Sequence, residues 1–131
     1  MTALAWTDAL RLQHEELDRT HEEFVQLLNE VEAALPDQPW DAFQRLLAHT
    51  EAHFAMEEGW MQQLGFEPEN CHSRQHTMVL ELMREVGTRY QAGEHEPLER
   101  LVPALAEWFP QHAEMMDAAL VFTLQQQGAA A

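Results

Sequence analysis

Histidine and carboxylate side chains recur in this sequence at spacings that suit metal ligation. His53 and Glu57 are four residues apart, as are His72 and His76. Four residues advance an α-helix by about 400°, so on a helix each pair shares one face and can converge on one point. His21 lies upstream of both pairs, and His112 and Asp117 lie downstream. Five imidazoles and two carboxylates exceed what a single metal ion accepts and suit two ions bridged by both carboxylates. If three histidines hold one metal and two hold the other, one metal keeps an open position. Donors of this kind, without thiolate, suit Fe, Mn, Zn or Cu, and the spacing does not choose among them. The single cysteine, Cys71, has no second thiol with which to build a disulfide or a sulfur-ligated cluster, and we assign it no role.

These residues reach one place only if four helices bring them there. Leu17, Phe24, Leu27, Leu28, Val31 and Leu35 recur at helical spacing and predict a helix over about 8–35, closed by Pro36-Asp37-Gln38-Pro39. A second helix is expected over about 39–64, ending near Gly65. Met78, Val79, Leu82, Met83, Val86 and Tyr90 trace a third over about 69–92, before Gly93, and a fourth is expected over about 97–127. Short connections make sequential helices antiparallel neighbours, so the expectation is all-α, an up-down-up-down four-helix bundle. The whole chain, 1–131, reads as one domain with an N-terminal arm over about 1–7 and a Gly128-Ala-Ala-Ala tail expected to fray. His112 and Asp117 are five residues apart, about 140° around an ideal helix. Both can face one site only through an irregular, wide turn. Pro110, two residues before His112, is expected to kink or loosen the helix there, and Pro103 to do the same further up.

Composition narrows the function classes. Twenty-three acidic residues against seven arginines give a formal net charge of -16, which disfavours nucleic acid and anionic membrane surfaces as partners. The segment Met1 to Leu10 lacks a basic start and a long apolar run, and no later stretch approaches a membrane span. A soluble cytoplasmic protein, and a monomer, is expected.

The motifs resemble the hemerythrin family, specifically its single-domain bacterial members, over essentially the whole chain. Leu17-Asp18-x-x-His21-x-x-Phe24-x-x-Leu27-Leu28-Asn29 is similar to the family's first-helix motif, and His53-Phe54-x-x-Glu57-Glu58-x-x-Met61 to its second. His72-x-x-x-His76, then Trp108-Phe109-x-x-His112-x-x-x-x-Asp117, complete the pattern, and Trp6 matches an aromatic of the family's N-terminal arm. The resemblance implies two iron ions with an oxo or hydroxo bridge and dioxygen as the ligand. It places His72, His76 and His112 on one iron and His21 and His53 on the other, with Glu57 and Asp117 bridging and dioxygen at the second iron. It further implies a diferrous pair that gives two electrons to dioxygen and recovers them on release. Such chemistry needs a dry apolar pocket, for which Phe24, Trp108, Phe109 and Met115 are the nominated lining.

Other readings sit beside this one. Oxygen sensing, or scavenging of nitric oxide or peroxide, would tolerate the same ligands, whereas a sensor is expected to need a separate partner protein for its output. A ferritin-like oxidase would want two Glu-x-x-His motifs, and this chain offers only Glu69-x-x-His72. The expected role is therefore an oxygen binder and not an enzyme. His49, where the family often places a tyrosine, is surplus to a complete ligand set and reads as a residue supporting the ligands, an extra ligand or core filling, and His14 and His95 read as solvated or capping residues. The methionines, Met56, Met61, Met78, Met83, Met115 and Met116, read mostly as core filling.

Overall fold

A computed structural model describes residues 3–130, all of whose regular structure is helical. The helices are α1 (Glu15–Ala34), α2 (Trp40–Gln63), α3 (Cys71–Gln91), α4 (Glu96–His112) and α5 (Ala118–Ala130). Helices α4 and α5 form one rod, joined by a π-helical turn over Ala113–Asp117. Helix α1 packs on α2, α2 on α3, α3 on α4, and α4 back on α1, which closes the expected up-down-up-down bundle. None of these helices is long and apolar enough to cross a membrane.

The first helix starts at Glu15, later than the expected start near residue 8. Residues 8–14 hold a short 3-10 turn, Asp8–Leu10, and then a break at Gln13, whose φ is 59°. The Asp18 carboxylate accepts from the backbone N–H groups of Leu12 and His14, at 2.7 and 3.3 Å, and the His14 ring accepts from Leu17 N–H at 3.1 Å. The His14 ring satisfies one of the otherwise open N–H groups of the first turn, and Asp18 holds the chain just before it, so the helix starts at Glu15. Helix α3 likewise starts at Cys71 and not near 69, because Asn70 caps it through Ser73 N–H at 2.8 Å. Gly65 and Gly93 end their helices with φ of 83° and 97°, a conformation that suits glycine. Helix α4 continues through both Pro103 and Pro110, and α5 runs to Ala130, past the expected end near Gln127. Met1 and Thr2 of the expected arm, and Ala131 of the tail, lie outside the described residues.

One face of each helix feeds the core. Phe24, Leu28, Val31, Phe43, Leu46, Val79, Met83, Val86, Leu98, Leu105 and Phe109 belong to a single buried cluster. Burial of such side chains stabilises the fold by roughly 1.5–3 kcal/mol each. Leu17, Met61, Leu120 and Val121 are buried too but outside that cluster. In sequence they lie beyond His21, Glu57 and Asp117, so a polar layer divides the interior. The arm is tied back by Asn29, whose Oδ1 accepts from Ala3 N–H and Leu4 N–H at 2.8 and 3.0 Å and whose Nδ2 donates to Leu4 O at 2.7 Å. Trp6 then packs against the core.

Candidate metal centre

The polar layer consists of His21 from α1, His53 and Glu57 from α2, His72 and His76 from α3, His112 at the end of α4 and Asp117 at the end of the π turn. All seven are buried, Glu57 and Asp117 completely. Isolated buried carboxylates are strongly disfavoured, so their presence demands compensating charge.

Each carboxylate turns its two oxygens to different histidines. Glu57 Oε1 lies 3.0 Å from His72 Nε2 and 3.5 Å from His76 Nε2, whereas Oε2 lies 2.5 Å from His53 Nε2 and 4.0 Å from His21 Nε2. Asp117 Oδ1 lies 2.9 Å from His72 Nε2 and 3.2 Å from His112 Nε2, whereas Oδ2 lies 3.1 Å from His21 Nε2. The donor atoms therefore sort into two groups able to hold a cation, Glu57, His72, His76, His112 and Asp117 in one, and His21, His53, Glu57 and Asp117 in the other. Close as these approaches are, none has hydrogen-bond alignment: the five Nε2 atoms and four carboxylate oxygens are all buried without a hydrogen-bond partner. Buried polar atoms are rarely left so. Donors gathered around shared points, with their lone pairs unused, are what metal ligation requires.

The same geometry governs protonation in the absence of metal. Burial pushes the Glu57 carboxyl up, but the imidazoles of His53, His72 and His76 outweigh it and hold it at about 2. Asp117 is held far below the usual carboxylate range in the same way, burial being overcome by His112, His21 and His72. Burial pulls His72 down, yet Asp117 and Glu57 together raise it to about 9. For His112 burial wins, and its pKa is lowered.

The wide turn expected between His112 and Asp117 is the π turn. It adds one residue to a helical turn, so Asp117, five positions on, faces the layer as a fourth-position residue would in an α-helix. The nominated apolar lining divides. Phe24 and Phe109 stack at 4.8 Å between ring centroids, and Phe109 meets the His21 ring edge-on at 5.0 Å, beside the two-histidine group. Trp108 stacks on His112 at 4.4 Å and so belongs to the three-histidine side. Met115 is 72% exposed and lines nothing, because the π turn carries it round to solvent.

Sequence reasoning missed four contributors. Phe54 stacks on His76 at 3.9 Å. Glu58 accepts from His76 Nδ1 at 2.7 Å and from Ser73 Oγ at 2.6 Å, and Gln75 Oε1 accepts from His112 Nδ1 at 2.7 Å. Phe54 and Glu58 stood in the second-helix motif with no role attached, and only a polar residue next in sequence to a ligand hinted at Gln75, a weak signal. His49 is half-buried, pairs with Glu23 at 3.2 Å and stands outside both donor groups. His14 caps α1, and His95 stacks on Tyr90 at 4.3 Å.

An antiparallel four-helix bundle with a buried histidine and carboxylate metal centre defines the class of this protein. The family model described as Hemerythrin HHE cation binding domain matches residues 12–122. The chain is 40% identical over 128 residues to the Bacteriohemerythrin of Ralstonia nicotianae, covering 98% of this chain and 93% of that relative. It is 28% identical over 125 residues to the Bacteriohemerythrin of Pseudomonas aeruginosa, covering 92% and 81%, and 27% identical over 116 residues to that of Stenotrophomonas maltophilia, covering 86% and 75%. No solved structure matches. The chain belongs to the hemerythrin family.

Proposed function

We propose that this chain is a single hemerythrin-like domain that binds dioxygen reversibly at a non-haem, carboxylate-bridged pair of irons, as a carrier, store or delivery protein and not as an enzyme. The observation that carries this reading is the division of the four carboxylate oxygens between a three-histidine and a two-histidine group. In this reading His72, His76 and His112 would hold one iron, His21 and His53 would hold the other, and Glu57 and Asp117 would be shared between the two. Two irons held there would supply the redox chemistry that reversible dioxygen binding needs.

The chain's own residues do the rest. His21 and His53 leave their side of the centre with one imidazole fewer, so that side is where a small ligand has room. Phe24 and Phe109 wall it with apolar surface and keep bulk water away from whatever binds there. Trp108 and Phe54, flat against His112 and His76, fix the ring planes on the opposite side.

The test is metal content together with the visible spectrum of the reduced protein, taken anaerobically, after air and again after oxygen removal. The expected result is about two irons per chain and an absorption band that appears with oxygen and vanishes without it. A centre that holds zinc, or that oxidises once and stays oxidised, would overturn the carrier reading.

A further inference from the structure

The two halves of the centre differ in how their histidines are held. A histidine that gives Nε2 to a metal carries its proton on Nδ1, and the partner of that N–H fixes the tautomer and the ring's direction. In the three-histidine half, His76 Nδ1 is 2.7 Å from the Glu58 carboxylate and His112 Nδ1 is 2.7 Å from Gln75 Oε1. Carboxylate oxygen only accepts, so the His76 proton sits on Nδ1 and its Nε2 lone pair points inward. Glu58 is itself held, its other oxygen accepting from Ser73 Oγ at 2.6 Å. Glu58 and Ser73 come from neighbouring helices α2 and α3, so the support crosses the bundle.

The two-histidine half has no counterpart. His21 Nδ1 and His53 Nδ1 are both buried, and neither has a hydrogen-bond partner among the described residues. Ligation through Nε2 leaves each of them with a buried, unanswered N–H, which opposes binding. This half also has one imidazole fewer.

Resting on the two-metal reading above, we infer that Glu58, with Gln75, is a positioning residue for the three-histidine half, and that the centre therefore fills in a fixed order. The half built on His72, His76 and His112 takes the first metal, and the half built on His21 and His53 fills second and empties first. The chemical consequence is a firmly seated ion beside an exchangeable one, with the exchangeable ion on the side where the small ligand has room.

Zinc(II) added stepwise to metal-free, histidine-labelled protein tests this by nitrogen-resolved NMR of the imidazole rings, paired with dye competition for the two dissociation constants. With the first equivalent the Nε2 signals of His72, His76 and His112 should move, and those of His21 and His53 only with the second. Glu58→Ala should weaken the first step by about 10–100-fold and leave the second nearly unchanged, with Glu58→Gln falling between because it keeps an acceptor oxygen. A general loss of packing would weaken both steps together. Should Glu58→Ala fail to fold, as judged by circular dichroism, the order of signal changes in the unaltered protein decides alone. Simultaneous filling, His21 and His53 responding first, or equal weakening of both steps in Glu58→Ala overturns the inference while leaving the two-metal reading intact. A chain that takes up fewer than two metals overturns that reading as well.

Discussion

Glu57 and Asp117 differ from the five histidines in facing both donor groups at once. Glu57 Oε1 meets His72 and His76 while Oε2 meets His53, whereas His112 meets Asp117 Oδ1 alone. Removing Glu57 should therefore disturb the whole centre, and removing His112 one half of it. We expect Glu57→Ala to bring metal content below about one ion per chain and His112→Ala to leave about one. His95→Ala, in a loop residue stacked on Tyr90, should leave the content unchanged. Elemental analysis after dialysis measures all three, and equal losses would sink the assignment. The donors were legible in the sequence because helical spacing encodes facing, as at His53 and Glu57 or His72 and His76. Glu58 and Gln75 were not, since their partners, His76 and His112, sit on other helices and only the fold pairs them. Met115 was misread for a related reason: nearness in sequence to His112 and Asp117 is not nearness in facing when the intervening turn is wide.

At the level of the helix, the π turn holds His112 and Asp117 on one face although five positions separate them. A π turn is equivalent to one residue inserted into an α-helix. Deleting the exposed Glu114 should thus convert the turn to α-helix, put the two ligands at four-residue spacing and preserve metal content. Inserting an alanine after Glu114 instead should swing the rest of the rod by about 100° and abolish that content. If the deletion also empties the site, the wide turn has a role beyond alignment. The bundle's four rods were readable from apolar period and from Gly65 and Gly93, which need positive φ. The start of α1 was not, because Asp18 and His14 set it through bonds to nearby backbone N–H groups that apolar spacing does not encode. Asn29 carries a similar hidden duty, holding Ala3 and Leu4 from the middle of α1. Asn29→Ala should cost about 1–3 kcal/mol of stability and speed amide exchange at Leu4, read by mass spectrometry, with metal content unchanged.

Across the molecule, a net charge of -16 surrounds an interior that itself holds two carboxylates, so stability should depend on what neutralises them. Without metal, the imidazoles must do it. The Glu57 pKa is lowered from 4.5 to about 2, so its contribution is complete above 4.5 and disappears as pH falls through about 2. The His72 pKa is raised from 6.5 to about 9, so its contribution is complete below 6.5 and disappears as pH rises through about 9. Both are complete together only between those limits. Metal-free protein should accordingly show its highest Tm between about pH 4.5 and 6.5 and lose stability towards pH 9. The loaded protein needs His72 neutral, because a protonated imidazole cannot ligate. Its Tm should hold or rise over the same alkaline interval and collapse on the acid side as protons displace the metal. Thermal melts of both forms from pH 4 to 10 make the comparison, with free metal followed by a chelating dye. Profiles that cross, metal-free stability falling with pH where loaded stability does not, would show that the metals replace a proton held at His72. Parallel profiles would mean that the buried carboxylates are neutralised in some other way and that the histidines are not their counter-charge.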